Sequence, residues 1–192
     1  MDTDPFDKFS TWFEQAKSNE LSDFDAVSVA SVDHTGRPTI RMVLMRAYDR
    51  RGFVFYTNLK SRKAENFKQN PAAAMCFHWK STARQVRIEG TVAIVDDENA
   101  DAYFSARPRE SQVGAWASKQ SEILEDRGVL ESRYSEIDER YAYEEIPRPP
   151  FWSGYRLEPD HFEFWDKRPF RLHDRTAYTL AKDRWVVTKL HP

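Results

Sequence analysis

Between residues 4 and 20, Phe6, Phe9, Trp12, Phe13 and Ala16 recur at steps of three and four, which predicts an amphipathic helix with one apolar face. The period then drops to two. Residues 26–33, 39–50 and 53–59 alternate apolar and polar positions, divided by the turn sequence HTGRP and by Arg51 with Gly52, and predict an antiparallel meander. Ser61 predicts the cap of a short helix over 62–70 that Asn70 and Pro71 stop. Strands follow at 72–80 and 84–96; in the second, Val86, Ile88, Gly90, Val92 and Ile94 share one face, leaving Gln85, Arg87 and Glu89 on the other. Helical texture fills 97–141, in pieces at 97–108, 110–120 and 121–143, the last highly charged with an internal Gly128. Residues 144–152, EEIPRPPFW, read as a Pro-rich loop within the domain, because the segment 153–192 beyond it is too short to fold alone. Three strands close the chain at 153–165, 170–180 and 184–190. There is no internal repeat. The order predicts a mainly β, α+β fold: a closed antiparallel barrel with helical insertions, in one domain over 1–192. Its parts are an N-terminal helical segment (1–25), a helical insertion (97–141) and C-terminal strands (152–192).

Composition narrows the class. Hydrophobic residues make up 40% and charged residues 31%, which excludes a disordered chain and a membrane-spanning helix. The acidic start, MDTDPFDKF, lacks the basic and apolar stretches of an export signal, so the expected location is cytoplasmic. Cys76, the single cysteine, permits no intrachain disulfide, and its apolar neighbours predict a buried, inert thiol. No two of the five histidines have helical metal-ligand spacing, so no metal is expected. A net charge of −2 argues against nucleic acid as a partner and makes the local clusters of Arg and Lys sites for a small anion. Aromatic residues reach 14%, with six Trp, more than such a core needs; flat ligands and large interfaces both use them.

Five places along the chain could carry chemistry. Arg62 and Lys63 fall in the first turn of a helix, where the dipole disfavours cations unless an anion sits there; the alternative is two solvated side chains. Tyr103, Arg107 and Ser111, at intervals of four, form a stripe suited to a phosphate or carboxylate, although Pro108 bends it; an interface Tyr and a surface ion pair are the other reading. Gln85 is either a surface amide or a donor and acceptor for an imide edge such as a flavin's. Arg41 and Arg46 lie on opposite faces of their strand unless a bulge intervenes. Finally, RPFRLHDR (168–175) read as a strand aims Arg171, His173 and Arg175 to one side and Leu172 and Asp174 to the other, a cationic comb for a ligand or a charged sheet edge.

In order along the chain, RMVLMR, FYTN, SRKA, RQVRIEG, YFSARPRESQVGAWASKQS, FWSGYRLEPDHFEFW and RLHDR resemble the pyridoxamine 5'-phosphate oxidase family from about Ala26 to Pro192, whereas the segment before Ala26 matches poorly. The resemblance implies a homodimeric FMN-binding split barrel, with its site at the subunit interface. Its members oxidise pyridoxamine or pyridoxine 5'-phosphate to pyridoxal 5'-phosphate and reduce oxygen to hydrogen peroxide. It implies FMN contacts at Arg41, Met42, Val43, Leu44, Tyr56, Thr57, Arg62, Lys63, Gln85, Gln120, Ser121, Trp165 and Arg175. Tyr103, Arg107 and Ser111 would hold the substrate phosphate, and Arg171 and His173 would lie against the pyridine ring as the catalytic pair while a hydride passes from substrate C4' to the flavin. Arg46 stands where the family usually has a substrate-contacting Lys, so a planar fork replaces a compact ammonium. The other readings are a split-barrel flavin reductase or oxidase with another substrate, a non-enzymatic protein that binds FMN or pyridoxal phosphate, and a structural interaction protein.

Overall fold

Nine strands share one antiparallel sheet in the computed structural model, which describes residues 4–192. The first three residues of the expected N-terminal segment lie outside the described residues. Helix α1 (Pro5–Asn19) precedes β1 (Ala26–Val32), β2 (Pro38–Leu44), β3 (Ala47–Asp49) and β4 (Gly52–Asn58). Then come α2 (Arg62–Gln69), β5 (Ala72–Trp79), β6 (Arg84–Ile94), and the helices α3 (Asp97–Ser105), α4 (Arg109–Ala117) and α5 (Arg127–Arg140). Strand β7 (Trp152–Asp166), a 3-10 turn (Pro169–Arg171), β8 (Asp174–Ala181) and β9 (Arg184–Leu190) complete the chain.

The sheet runs β2-β1-β5-β6-β7-β4-β3, with β8 added to β7 and β9 to β8. Its two ends, β2 and β3, are joined directly through Met45 and Arg46, so the sheet curls back on itself. Here the predicted strand over 39–50 breaks: Met45 N–H donates to the Asp25 carbonyl (2.9 Å) and Arg46 N–H to the Val54 carbonyl (2.8 Å). The corner therefore bonds to both β1's approach and β4. Strand β7 pairs with β4 over Trp152–Leu157 and with β8 over His161–Asp166, while β6 follows it nearly throughout. Register slips at Glu89/Gly90, opposite Pro159, which has no N–H to give the ladder. Gly90 is required there, since a Cβ would collide with the Glu158 carbonyl.

The apolar stripe of α1 fills the barrel. Phe6, Phe9, Trp12, Phe13 and Ala16 are all buried, and Phe9 packs edge-on against Phe53 (4.8 Å) and Phe77 (5.3 Å). A second cluster, Phe104, Val113, Tyr141, Ile146 and Trp152, fastens the helical insertion to the sheet.

Several expectations change. Ser61 occupies the N-cap of α2 but makes no side-chain cap bond; its hydroxyl accepts from Lys63 Nζ instead. Ile94 is exposed and Val95 buried, because β6 ends there and the Val95 N–H turns to the Gly154 carbonyl. The helix expected from 121 begins only at Arg127, capped by the Asp126 carboxylate on Gly128 N–H, and stops at Arg140. The strand expected from 170 begins at Asp174, because Phe170 and Arg171 adopt left-handed φ values of 59° and 63°. Cys76 is half-buried, with burial raising its thiol. Among the described residues no helix is long and apolar enough to cross a membrane, and no three His, Cys, Asp or Glu side chains gather as a metal site.

Candidate active site

A cavity of about 820 Å³ opens between β2, β4, the start of α2 and the α3–α4 corner. Among the described residues five cations line it, Arg41, Arg46, Arg62, Lys63 and Arg107, and no Asp or Glu does. Lys63 is buried, and its ammonium donates to Thr57 Oγ1 (2.8 Å), Ser61 Oγ (3.2 Å) and Gln120 Oε1 (2.8 Å), all neutral oxygens. Burial, reinforced by the charge of Arg41, holds its pKa down at about 8. Arg41 reaches inward from β2 to the Val29 carbonyl (3.0 Å), Ser31 Oγ (2.9 Å) and Thr39 Oγ1 (2.6 Å), and burial with Arg62 nearby lowers its pKa. Arg62 N–H donates to Ser121 Oγ (3.3 Å), which joins the helix start to the 118–121 segment; Ser121 takes φ 76° to do so. Cations desolvated on neutral partners are poorly compensated until an anion arrives.

At the far wall Pro108 does break the helix, yet Tyr103, Arg107 and Ser111 all still line the cavity. The corner is pinned by Gln112, whose amide donates to the carbonyls of Phe104 (3.2 Å), Ser105 (3.1 Å) and Arg107 (2.9 Å). The Arg107 guanidinium lies 4.7 Å from the Trp152 ring centroid, and its Nη1 is buried without a hydrogen-bond partner among the described residues. Burial lowers its pKa, and the charge of Arg46 adds to that effect. Tyr56 stacks on Tyr103 (3.9 Å) and lies parallel to Trp152 (5.3 Å), which supports the wall with aromatic faces. Met42, Val43, Leu44, Thr57, Gln120 and Ser121 complete the part of the expected set that meets here.

Gln85, Trp165, Arg171, His173 and Arg175 do not line this cavity. Three of them form a cross-strand row, Gln85 opposite Trp165 and Trp165 opposite Arg175, and the His173 ring sits 4.5 Å from Trp165. The strand comb of 171, 173 and 175 is corrected: Arg171 belongs to the 3-10 turn, His173 to the link after it, where its Nδ1 accepts from Arg168 N–H (3.2 Å), and only Arg175 to a strand. Arg168 pairs with Asp174 (2.6 Å), which accounts for both.

Sequence reasoning missed three features with evident work. Trp152 supports Arg107, although its place after the Pro-rich loop was the available signal. Asn58 and Ser118 line the cavity and bond to each other through Nδ2 and the carbonyl (3.4 Å). Glu163, only 4% exposed, accepts from Arg175 Nε (2.7 Å) and Arg87 Nη1 (3.0 Å), and the Arg175 bond holds its pKa below the usual carboxylate range.

The curled antiparallel sheet with its helical insertion is the FMN-binding split barrel. Residues 13–141 match the family model for pyridoxamine 5'-phosphate oxidase, and 152–192 match the pyridoxine 5'-phosphate oxidase C-terminal dimerisation region. The chain belongs to the pyridoxine/pyridoxamine 5'-phosphate oxidase family, and the match reaches into α1, ahead of the expected start at Ala26. A pyridoxine/pyridoxamine 5'-phosphate oxidase of Sinorhizobium fredii is 50% identical over 191 residues, 98% of this chain and 93% of that protein. One from Mesorhizobium japonicum is 51% identical over 190 residues, with the same coverage of 98% and 93%. Among solved structures, PhzG from Burkholderia lata 383, in complex with tetrahydrophenazine-1-carboxylic acid, superposes with a TM-score of 0.94 at 29% identity, covering 99% of this chain and 93% of that one. A pyridoxamine 5'-phosphate oxidase-related, FMN binding protein from Nostoc punctiforme shares the fold, with a TM-score of 0.78 at 19% identity over the full length of both chains. Family and fold together support an FMN-dependent oxidoreductase.

Proposed function

We propose that this protein oxidises pyridoxamine 5'-phosphate and pyridoxine 5'-phosphate to pyridoxal 5'-phosphate in the cytoplasm, as a homodimer with FMN, while oxygen becomes hydrogen peroxide. The observation that carries this reading is the carboxylate-free cavity, whose cations fall into two groups. Arg41, Arg62 and Lys63 at the start of α2 suit the FMN phosphate, and Tyr103, Arg107 and Ser111 at the α3–α4 corner suit the substrate phosphate. Arg107 Nη1 is a buried donor without a partner among the described residues, and the Lys63 ammonium, bonded only to neutral oxygens, is a charge without a counter-ion; two phosphates would meet both needs. FMN, when bound, supplies the two-electron acceptor that returns its electrons to oxygen. The protein's own task is binding and orientation: Met42, Val43, Leu44, Tyr56, Thr57, Gln120 and Ser121 frame the flavin, and Arg46 reaches toward the substrate.

The remaining contacts come from the second subunit in this reading. Gln85, Trp165 and Arg175 face the flavin across the interface, with Arg171 and His173 over the pyridine ring. Their separation from the cavity within one protomer supports this, as does their lying largely within the region matched as the family's dimerisation segment. Ile40 and Met42, 70% and 61% exposed on β2, add an apolar row that a second copy would cover. That β7 lies between β4 and β6 supports reading the chain as a single domain. The ligands are small molecules, with neither nucleic acid nor membrane as partner.

Incubating FMN-loaded protein with pyridoxamine 5'-phosphate in air, with aldehyde and peroxide followed together, tests the reading. Matching yields are expected. The resemblance to PhzG favours a second reading, oxidation of another flat substrate, and tetrahydrophenazine-1-carboxylic acid is the control: turnover of it alone would replace the proposal.

A further inference from the structure

Of the five cavity cations, only Arg46 has a carboxylate partner among the described residues: its Nη1 donates to Asp25 Oδ2 at 2.9 Å, with the two side chains 36% and 17% exposed. Asp25 is also fixed through its backbone. Its carbonyl accepts from Met45 N–H (2.9 Å), at the corner where β2 gives way to β3, and Arg46 N–H is held by the Val54 carbonyl (2.8 Å). The two residues are therefore joined twice at one bend, once through main chain and once through side chains.

We propose that Asp25 is the positioning residue for Arg46, aiming its guanidinium into the substrate-phosphate end of the cavity beside Arg107. The proposal rests on the oxidase function assigned to this cavity. Only one guanidinium nitrogen is used by Asp25, so Nε and Nη2 stay available as donors in a fixed plane. A fork anchored at one prong can still present the other two to a phosphate, whereas an ammonium bound to Asp25 would have its point charge largely cancelled there. Asp25 thus accounts for the Arg that stands where the family usually has Lys: the acid and the planar cation act as a pair. Without its anchor, Arg46 must be immobilised afresh each time a phosphate binds, and that ordering cost falls on affinity instead of on turnover.

A double-mutant cycle tests this in the FMN-loaded dimer. Asp25→Asn is expected to raise KM for pyridoxamine 5'-phosphate, and Kd for pyridoxal 5'-phosphate read by absorbance, about three- to tenfold, with kcat within about twofold. FMN affinity, measured by fluorescence quenching, should not move. In the Arg46→Lys background the same substitution is expected to leave KM and Kd unchanged or to lower them, because the fork it positions is gone and the ammonium is freed from the carboxylate that cancels it. A wild-type KM and Kd in Asp25→Asn, an equal effect in both backgrounds, or a parallel loss of FMN affinity would each overturn the proposal. Absence of wild-type turnover would instead refute the function, and the cycle on pyridoxal 5'-phosphate binding would still decide the role of Asp25.

Discussion

Lys63 shows how a single buried side chain records a missing partner. Its folded-state pKa of about 8 lies below the ordinary lysine value of about 10.4, so between those limits the unfolded chain holds more protons than the folded one. Stability of the FMN-free protein should therefore rise with pH across that window, where Lys63 sheds its uncompensated charge; urea unfolding at both ends of the window measures it. FMN affinity should move the other way, falling above about pH 8, with proton uptake on binding detected by titrations in buffers of different ionisation heat. Glu163 has the opposite sign. Its pKa is depressed by Arg175, so its contribution is present above the unfolded carboxylate value and disappears as pH falls through the folded one. Arg62 and Lys63 were legible as a candidate anion site because residue type and helix phase place them at the start of α2, whereas Arg41 and Arg46, on a strand and its corner, were not. Glu163 was not, since its two partners come from the strands on either side of β7, and cross-strand register is not written in local pattern.

Among the elements, α1 was the most legible. A period of three and four over five apolar residues leaves few alternatives, and all five are buried as expected. Phe9→Ala should cost about 3–5 kcal/mol, measured by denaturant unfolding, because that ring meets partners from β4 and β5 that cannot follow it into the void. The segment 168–173 was the least legible. Alternating charges there satisfy a strand template as well as they satisfy a turn, and what decides is the left-handed backbone of Phe170 and Arg171, conformations that no glycine advertises. The α3–α4 corner lies between these cases: Pro108 announces the break, but the three carbonyls gathered by Gln112, which keep Tyr103, Arg107 and Ser111 on one wall, are visible only in three dimensions.

At the scale of the whole molecule, the Trp165 row lines no part of its own protomer's cavity. On the proposed dimer each complete site takes its cavity from one chain and its row from the other. Mixing Arg107→Ala chains with Arg171→Met chains, each inactive alone, should then restore about a quarter of wild-type activity, since half the random dimers are mixed and each holds one intact site of two. No recovery after verified subunit exchange would place both sets in one chain. Strand β7 supplies the geometry behind this expectation, running from Trp152 in the cavity wall to Trp165 in the row. At ~3.3 Å per residue that is a ruler of up to about 40 Å, longer than either the flavin or the substrate. A solitary chain on this arrangement owns two halves that can never meet, so where dilution lets the pairs come apart, halving the number of chains would leave only about a quarter of the working sites.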